Sequence, residues 1–198
     1  MFETIQGEGV FTGVPAVFVR LQVCPVGCAW CDTKQTWEAL PEDQTTLGDI
    51  MVKTQDSPTW SPIDAQGIVV EYQKQGYTAK HIVITGGEPC IYDLRPLTEA
   101  FEAIGCQCQI ETSGTSEVLA SKNTWVTVSP KVAMKGKLPV LTTALERANE
   151  IKHPVGTIKD IEHLDGLLQA ADISEEVIVA LQPISQKERA TQLCIDTC

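Results

Sequence analysis

Apolar runs of strand length alternate along this chain with stretches that have the periodicity of a helix. The strand-like runs span 16–23, 81–89 with a terminal turn, 106–112, 124–128, 150–155 and 177–181, and the helical patterns span 63–75, 94–104, 141–149, 161–170 and the residues from 186 onward. Such alternation favours a mostly parallel α/β sheet with its ligand site at the carboxyl ends of the strands. About six strands are fewer than the eight of a closed barrel. We therefore predict a partial, TIM-like barrel with covering helices.

Three cysteines follow the first of these strands within eight residues. Cys24, Cys28 and Cys31 have the spacing C-x3-C-x2-C. A structural zinc site takes four protein ligands, and an ordinary iron–sulfur cluster takes four thiolates. Three thiolates in one loop therefore indicate a cluster that leaves one iron free for a further ligand.

Composition narrows the class of protein. The eight cysteines could form disulfides, but no secretion signal is evident, and 198 residues with 43% hydrophobic content form a core without such crosslinks. We expect one cytoplasmic domain over residues 1–198, with a variable insertion at 34–62. The net charge of −11 argues against bulk binding of nucleic acid but permits a local basic pocket. No apolar run approaches the roughly 20 residues of a membrane helix.

The cysteine motif resembles the signature of the radical S-adenosylmethionine (SAM) superfamily, in which the free iron binds SAM. The segment Phe-Glu-Thr-Ile-Gln-Gly-Glu-Gly at 2–9 and the tripeptide Cys-Asp-Thr at 31–33 are more specifically similar to the 7-carboxy-7-deazaguanine synthase family in its enterobacterial form. The likeness extends over nearly the whole chain. It implies a radical SAM core that converts 6-carboxy-5,6,7,8-tetrahydropterin to 7-carboxy-7-deazaguanine with loss of ammonia, a step of queuosine biosynthesis.

This resemblance also implies the cofactors and partners. The cofactors would be a 4Fe–4S cluster held by Cys24, Cys28 and Cys31, SAM, and Mg²⁺, to which Thr33 would give an oxygen in the substrate complex. A reducing protein such as flavodoxin and a homodimeric assembly are the expected partners. Without the resemblance, Asp32 and Thr33 could simply cap a helix.

Motifs at later strand ends resemble the SAM contacts of this family. The turn Thr-Gly-Gly-Glu-Pro at 85–89 is similar to the G-G-E element, in which Gly87 would contact SAM and Glu88 would hold its amino group. The segment Glu-Thr-Ser-Gly at 111–114 would lie in the SAM neighbourhood. The resemblance assigns seven further SAM contacts: Ser129, Pro130, Lys131, Gln182, Pro183, Ile184 and Ser185. Without the resemblance, the segment at 85–89 could be a simple tight turn, and Lys131 could be an ordinary solvent-exposed lysine.

Six residues would bind the pterin by the same resemblance: Ile5, Gln6, Gly7, Glu8, Arg20 and Thr85. Arg20 interrupts an apolar strand, where a guanidinium is costly unless it is paired. Because Arg suits bidentate recognition of carboxylates, it would grip the substrate carboxylate. The alternatives are a water-exposed Arg20 and a plain N-terminal loop at 2–13.

Two features depart from the family pattern. Val23 stands where the family usually has glycine, so it would narrow the approach to the cluster or require ordinary extended backbone. Family members also continue past the position of Cys198 with a segment containing a histidine, and they carry a few residues before Met1. A chain that ended at Cys198 would lack part of the pterin pocket or supply it differently.

Two other functions remain open from the residues alone. A radical SAM activase that makes a glycyl radical on a protein partner shares the cysteine loop. A zinc module would need a fourth ligand, which Cys90, Cys106 or Cys108 could supply. Cys106 and Cys108 lie on the same side of their strand, so they could also form a second metal site, although buried free thiols are the commoner outcome.

Overall fold

The computed structural model describes residues 1–198, apart from the side chain of Gln186. Seven strands form one sheet in the order in which they occur in the sequence: β1 (Phe2–Ile5), β2 (Pro15–Leu21), β3 (His81–Gly86), β4 (Gln107–Thr112), β5 (Trp125–Val128), β6 (Glu150–Val155) and β7 (Ile178–Pro183). β1 is antiparallel to β2, and each later strand is parallel to its neighbour. β1 and β7 form the two edges, so the sheet is open. The predicted partial barrel is therefore confirmed.

β1 is the strand that the sequence did not predict. All four of its residues are exposed, so its sequence lacks the alternation of a half-buried strand. It forms by antiparallel pairing with β2, in which Phe2 lies opposite Phe18 and their rings stack with centroids 5.5 Å apart. The interpretation of residues 2–5 as a loop is therefore wrong, because a cross-strand partner determines their structure.

Six α-helices occur, and none of those that the structure describes is long and apolar enough to cross a membrane. They are α1 (Leu47–Met51), α2 (Ala65–Lys74), α3 (Arg95–Ala103), α4 (Thr142–Glu146), α5 (Ile158–Ala170) and α6 (Glu188–Thr197). α5 begins earlier than the predicted residue 161, because Thr157 and Asp160 form a capping box. α4 is shorter than the predicted 141–149.

Alternate strand residues face two different environments. One set packs beneath the helices in the apolar core: Val17, Val19, Ile82, Ile84, Cys108, Ile110, Val126, Val128, Ile151 and Val155. Phe101 of α3 is fully buried in this core, and such burial contributes about 1.5–3 kcal/mol. The intervening residues face the inside of the curved sheet and are largely polar: Arg20, Thr85, Gln109, Glu111, Thr127, Glu150 and Lys152.

A hydrogen-bond network fills the inside of the sheet. The Gln6 amide donates to Gln109 and Glu111, each over 3.2 Å. Gln109 in turn donates to Thr127 over 3.0 Å, and Thr127 donates to Glu150 over 3.0 Å. This network explains how so many polar groups are buried at low cost, since each has a partner.

Gly9 allows the N-terminal segment to close over this network. Its φ is +69°, and a Cβ there would overlap the carboxylate of Glu150. The next backbone N–H, that of Val10, donates to Glu150 over 3.1 Å. A glycine is therefore required at this position for both conformation and space.

Candidate active site

One cavity of about 740 Å³ opens at the carboxyl ends of the strands. The cysteine loop after β2 and the segments that follow β3, β4, β5 and β7 all contribute to its wall. The volume lies within the range of roughly 300–1,000 Å³ that is typical of small-molecule sites. The position is the one expected for ligands of parallel α/β folds.

The structure places most of the predicted site residues in this wall. They are Glu8, Arg20, Cys24, Cys28, Cys31, Thr33, Thr85, Gly87, Glu88, Ser129, Lys131, Gln182, Pro183, Ile184 and Ser185. Among the side chains that the structure describes, Ile5, Gln6, Gly7 and Pro130 lie outside it. Ile5 is exposed at the sheet edge, and the Gln6 amide is engaged by Gln109 and Glu111. Their assigned ligand contacts stay predictions.

The three cysteines of the motif share one side of the cavity. Burial raises the pKa of Cys24 and of Cys28. Because iron binds the thiolate rather than the thiol, a cluster at these positions would release protons as it formed. Lys131 lies near Cys28, and its positive charge partly opposes the effect of burial there.

The remaining buried cysteines of the sheet do not supply a fourth ligand. The Cys106 thiol lies 3.8 Å from the Tyr72 hydroxyl, and the Cys108 thiol lies 3.8 Å from the Thr98 carbonyl. Both are free and buried, as predicted. Burial raises the pKa of Cys108 to about 12, and it does the same for Cys90. None of these thiols borders the cavity that the cysteine motif lines.

Three thiols from one loop match the ligands of a cluster that leaves one iron open. Within the described residues, no three His, Cys, Asp or Glu side chains converge on a point where one metal ion could bind. The thiols of Cys24, Cys28 and Cys31 instead border a shared space in the cavity wall. Zinc would need four ligands around one centre.

Val23 connects the cysteine loop to the Gly-rich turn after β3. Its N–H donates to the Thr36 carbonyl over 2.7 Å, and its own carbonyl accepts the Glu88 N–H over 2.8 Å. A Cβ on Gly87 would overlap this Val23 carbonyl. The two motifs are thus held in backbone contact, which requires glycine at 87.

Val23 adopts a left-handed backbone with φ of +78°. The expectation of ordinary extended backbone at this position is therefore wrong. A β-branched residue is unfavourable at positive φ, because its Cβ substituents crowd the backbone. A glycine would adopt this conformation without strain.

We expect Val23→Gly to raise the free energy of unfolding by about 1 kcal/mol. Relief of left-handed strain contributes about 1–3 kcal/mol, and the extra freedom of glycine in the unfolded chain removes about 0.5–1 kcal/mol. Urea denaturation of the protein without cofactors measures the change. Val26→Gly is the matched control, since Val26 lies in the same loop but is buried, and its replacement should destabilise. A loss of stability in Val23→Gly would contradict the strain argument.

The Thr33 hydroxyl is not a helix cap. A short 3₁₀ turn follows at Lys34–Thr36, but the Thr33 side chain makes no capping hydrogen bond to it. Its Oγ1 lies 3.6 Å from the Cys31 sulfur and borders the cavity. The capping alternative is therefore wrong for Thr33, which lines the cavity beside Cys31.

Glu88 joins the ends of β3 and β4 and is almost fully buried. Its carboxylate accepts from the Cys90 N–H over 3.0 Å and from the Thr112 hydroxyl over 2.6 Å. It also accepts from the N–H and the hydroxyl of Ser113. A carboxylate offers about four lone-pair sites, so Glu88 is occupied within the protein. Its predicted contact with the SAM amino group stays a prediction.

A charged cluster that the sequence analysis missed borders the same cavity. The Lys152 ammonium lies 2.9 Å from Glu8 and 3.0 Å from Glu111. Burial raises the pKa of Glu111. Burial would lower the pKa of Lys152, but the two carboxylates outweigh it and raise that pKa. The sequence signal that could have identified Lys152 is a lysine inside a strand-like run, Ile-Lys-His-Pro-Val at 151–155.

Positive groups border the cavity on several sides. Arg20 lies at the end of β2, Lys152 on β6, and Lys131 after β5, where its ammonium lies 2.5 Å from the Ser129 hydroxyl. Burial lowers the pKa of Lys131. The wall also contains the carboxylates of Glu8, Asp32, Glu88 and Glu111, so the cavity is mixed in charge, and Arg20 and Lys131 provide local positive charge for a carboxylate-bearing ligand.

Comparisons with known proteins place this chain in a family. A scan against models of protein families gives no match. The 7-carboxy-7-deazaguanine synthase of Escherichia coli (strain K12) is 60% identical over 198 residues, which are 100% of this chain and 89% of that protein. The protein of the same name from Buchnera aphidicola is 46% identical over the same shares of both chains. That of Synechocystis is 34% identical over 91% of this chain and 74% of its own length.

A solved structure agrees with these relatives. The crystal structure of QueE from Escherichia coli superposes with a TM-score of 0.97 at 60% identity. The match covers 100% of this chain and 87% of that one. The open sheet, the three-cysteine loop and the identity over the full chain agree with one another. The chain belongs to the 7-carboxy-7-deazaguanine synthase family.

Proposed function

We propose that this chain is a radical SAM lyase that converts 6-carboxy-5,6,7,8-tetrahydropterin to 7-carboxy-7-deazaguanine with loss of ammonia, in queuosine biosynthesis. The observation that carries the proposal is the set of three thiols, Cys24, Cys28 and Cys31, in the wall of one cavity at the carboxyl ends of the strands. Membership of the family supports the choice of reaction.

The residues present fit the cofactors of such an enzyme. Cys24, Cys28 and Cys31 would hold a 4Fe–4S cluster, leaving one iron open. When bound, the cluster and SAM supply a radical that abstracts hydrogen from the pterin. The proposed SAM contacts come from the later strand ends: Gly87, Glu88, Ser129, Pro130, Lys131, Gln182, Pro183, Ile184 and Ser185. Thr33 would give one oxygen to Mg²⁺, which commonly takes its other ligands from water and substrate.

The chain itself would bind and orient the pterin. Arg20 is a cation in the cavity wall and suits the substrate carboxylate. Glu8 and Thr85 offer hydrogen-bonding groups to the ring, and Ile5, Gln6 and Gly7 would complete this side. Orientation matters because hydrogen abstraction requires the reacting atoms to be held in contact.

The family resemblance also supports proposals about domain organisation, location and assembly. The chain would form one radical SAM domain over residues 1–198 that acts in the cytoplasm as a homodimer. A reducing protein such as flavodoxin would deliver the electron.

Anaerobic reconstitution with iron and sulfide tests the proposal first. We expect the reduced protein to give a 4Fe–4S electron paramagnetic resonance (EPR) signal that shifts when SAM is added, because SAM occupies the open iron. We also expect turnover of free 6-carboxytetrahydropterin, which a glycyl-radical activase would not perform. Stoichiometric zinc without sulfide, or a cluster with no turnover of the free pterin, would contradict the assignment.

Arg20→Ala should weaken pterin binding while SAM cleavage remains measurable. A hydrogen bond between charged groups contributes about 1.5–3 kcal/mol, so the expected loss of affinity is about 10–150-fold. The dissociation constant of the pterin and the rate of SAM cleavage are measured on the same reconstituted sample. Arg95→Ala is the control, because Arg95 is paired with Asp93 away from the cavity. Equal loss of cluster and SAM binding would count against this role.

A further inference from the structure

Trp37 donates a hydrogen bond to one of the three cluster cysteines. Its indole Nε1 lies 3.4 Å from the Cys31 sulfur. The indole N–H is a donor only, so the direction of this bond is fixed. Cys31 itself borders the cavity, so the donor acts on a sulfur at the proposed cluster site.

The backbone holds Trp37 in this position. The Cys24 N–H donates to the Trp37 carbonyl over 3.0 Å, and the Val23 N–H donates to the neighbouring Thr36 carbonyl over 2.7 Å. The Trp37 N–H donates to the Lys34 carbonyl over 3.2 Å at the end of the 3₁₀ turn. The start of the cysteine motif is therefore tied by two backbone hydrogen bonds to the segment that carries the indole.

We propose that Trp37 is a positioning residue that raises the reduction potential of the cluster through its N–H···S bond to Cys31. The inference rests on the proposed function, since it requires a cluster on these thiolates. Hydrogen bonds to cluster sulfurs are among the factors that determine the potential. Such a bond stabilises the state with more negative charge on the sulfur, which is the reduced state. One electron enters from the external donor, and no covalent bond of the protein changes.

Trp30 provides a matched comparison within the same loop. It also borders the cavity, but it is 53% exposed and precedes Cys31 rather than reaching back to its sulfur. If the aromatic ring merely shields the cluster from water, replacing either ring by phenylalanine should change little. If the indole N–H matters, only replacement at position 37 should shift the potential.

The test is a redox titration of reconstituted Trp37→Phe, monitored by the EPR signal of the reduced cluster. Phenylalanine keeps an aromatic ring and removes the N–H. We expect the equilibrium constant for reduction to fall about tenfold, which is 59 mV for one electron. Trp30→Phe should titrate like the unmodified protein. An intact cluster with an unchanged potential in Trp37→Phe would overturn the inference.

A second measurement needs no variant at position 37. Protein labelled with ¹⁵N in its indole rings is reduced, and the ¹⁵N coupling to the cluster is recorded by electron–nuclear double resonance. We expect one coupled indole nitrogen, which persists in Trp30→Phe. Absence of coupling in the reduced unmodified protein would overturn the inference. Failure of the unmodified protein to assemble any cluster would instead overturn the proposed function.

Discussion

Replacing Cys28 by alanine is expected to abolish cluster assembly and all turnover. The donor set contains three thiols, so the loss of one leaves two, too few to hold a cluster with a single open iron. Cys90, Cys106 and Cys108 cannot substitute, because they are buried outside the cavity wall. The measurements are iron and sulfide content after anaerobic reconstitution, the EPR spectrum of the reduced sample, and product formation from the pterin.

Cys198→Ala is the control for this experiment. Cys198 is an exposed free cysteine outside the described cavity wall, so its loss should leave iron content and turnover unchanged. Folding of Cys28→Ala is checked by the urea denaturation of both variants without cofactors. A Cys28→Ala variant that retains turnover would refute the assignment of the cluster ligands.

Lys152→Met should lower the free energy of unfolding by about 3 kcal/mol. The Lys152 side chain is 8% exposed and bridges Glu8 and Glu111. Removing one partner of a buried ion pair costs about 3–5 kcal/mol, because the other charge stays buried. The lower end of this range applies here, because Glu8 is half exposed and Glu111 also accepts hydrogen bonds from the Gln6 and Gln109 amides. For a chain of this length, the Tm should fall by about 6–12 °C.

Two further variants test whether loss of the buried Lys152 ion pair causes the loss of stability. Arg95→Met removes an exposed ion pair with Asp93 and should cost at most about 1 kcal/mol. Adding Glu111→Gln to Lys152→Met should restore part of the loss, because it neutralises the carboxylate left without its cation. Equal losses in Lys152→Met and Arg95→Met, or no recovery in the double variant, would show that the buried pair is not responsible.

The sequence predicted those parts of the fold that have local signals. β6 occupies the predicted residues 150–155, because its inward and outward residues alternate in chemistry. β1 was missed because its pairing with β2 depends on residues that its own sequence does not reveal. The start of α5 was missed because the capping box at Thr157 and Asp160 was not recognised.

The site was predictable where a motif follows a strand. Cys24, Glu88 and Lys131 each lie just beyond a strand end, so the parallel topology brings them to one cavity. Lys152 and Trp37 were missed for a different reason. Their roles depend on contacts with Glu111 and with the Cys31 sulfur, and no local pattern encodes such pairings.

The backbone bond between Val23 and Glu88 has an evolutionary consequence. Val23 and Gly87 are 64 residues apart in the sequence, yet a Cβ on Gly87 would overlap the Val23 carbonyl. Substitutions in one motif should therefore show epistasis with the other. A larger residue at position 87 would fit only if the loop moved away, and that movement would displace Cys24. Neither segment can therefore change alone, and we expect substitutions in the two motifs to occur together among related sequences.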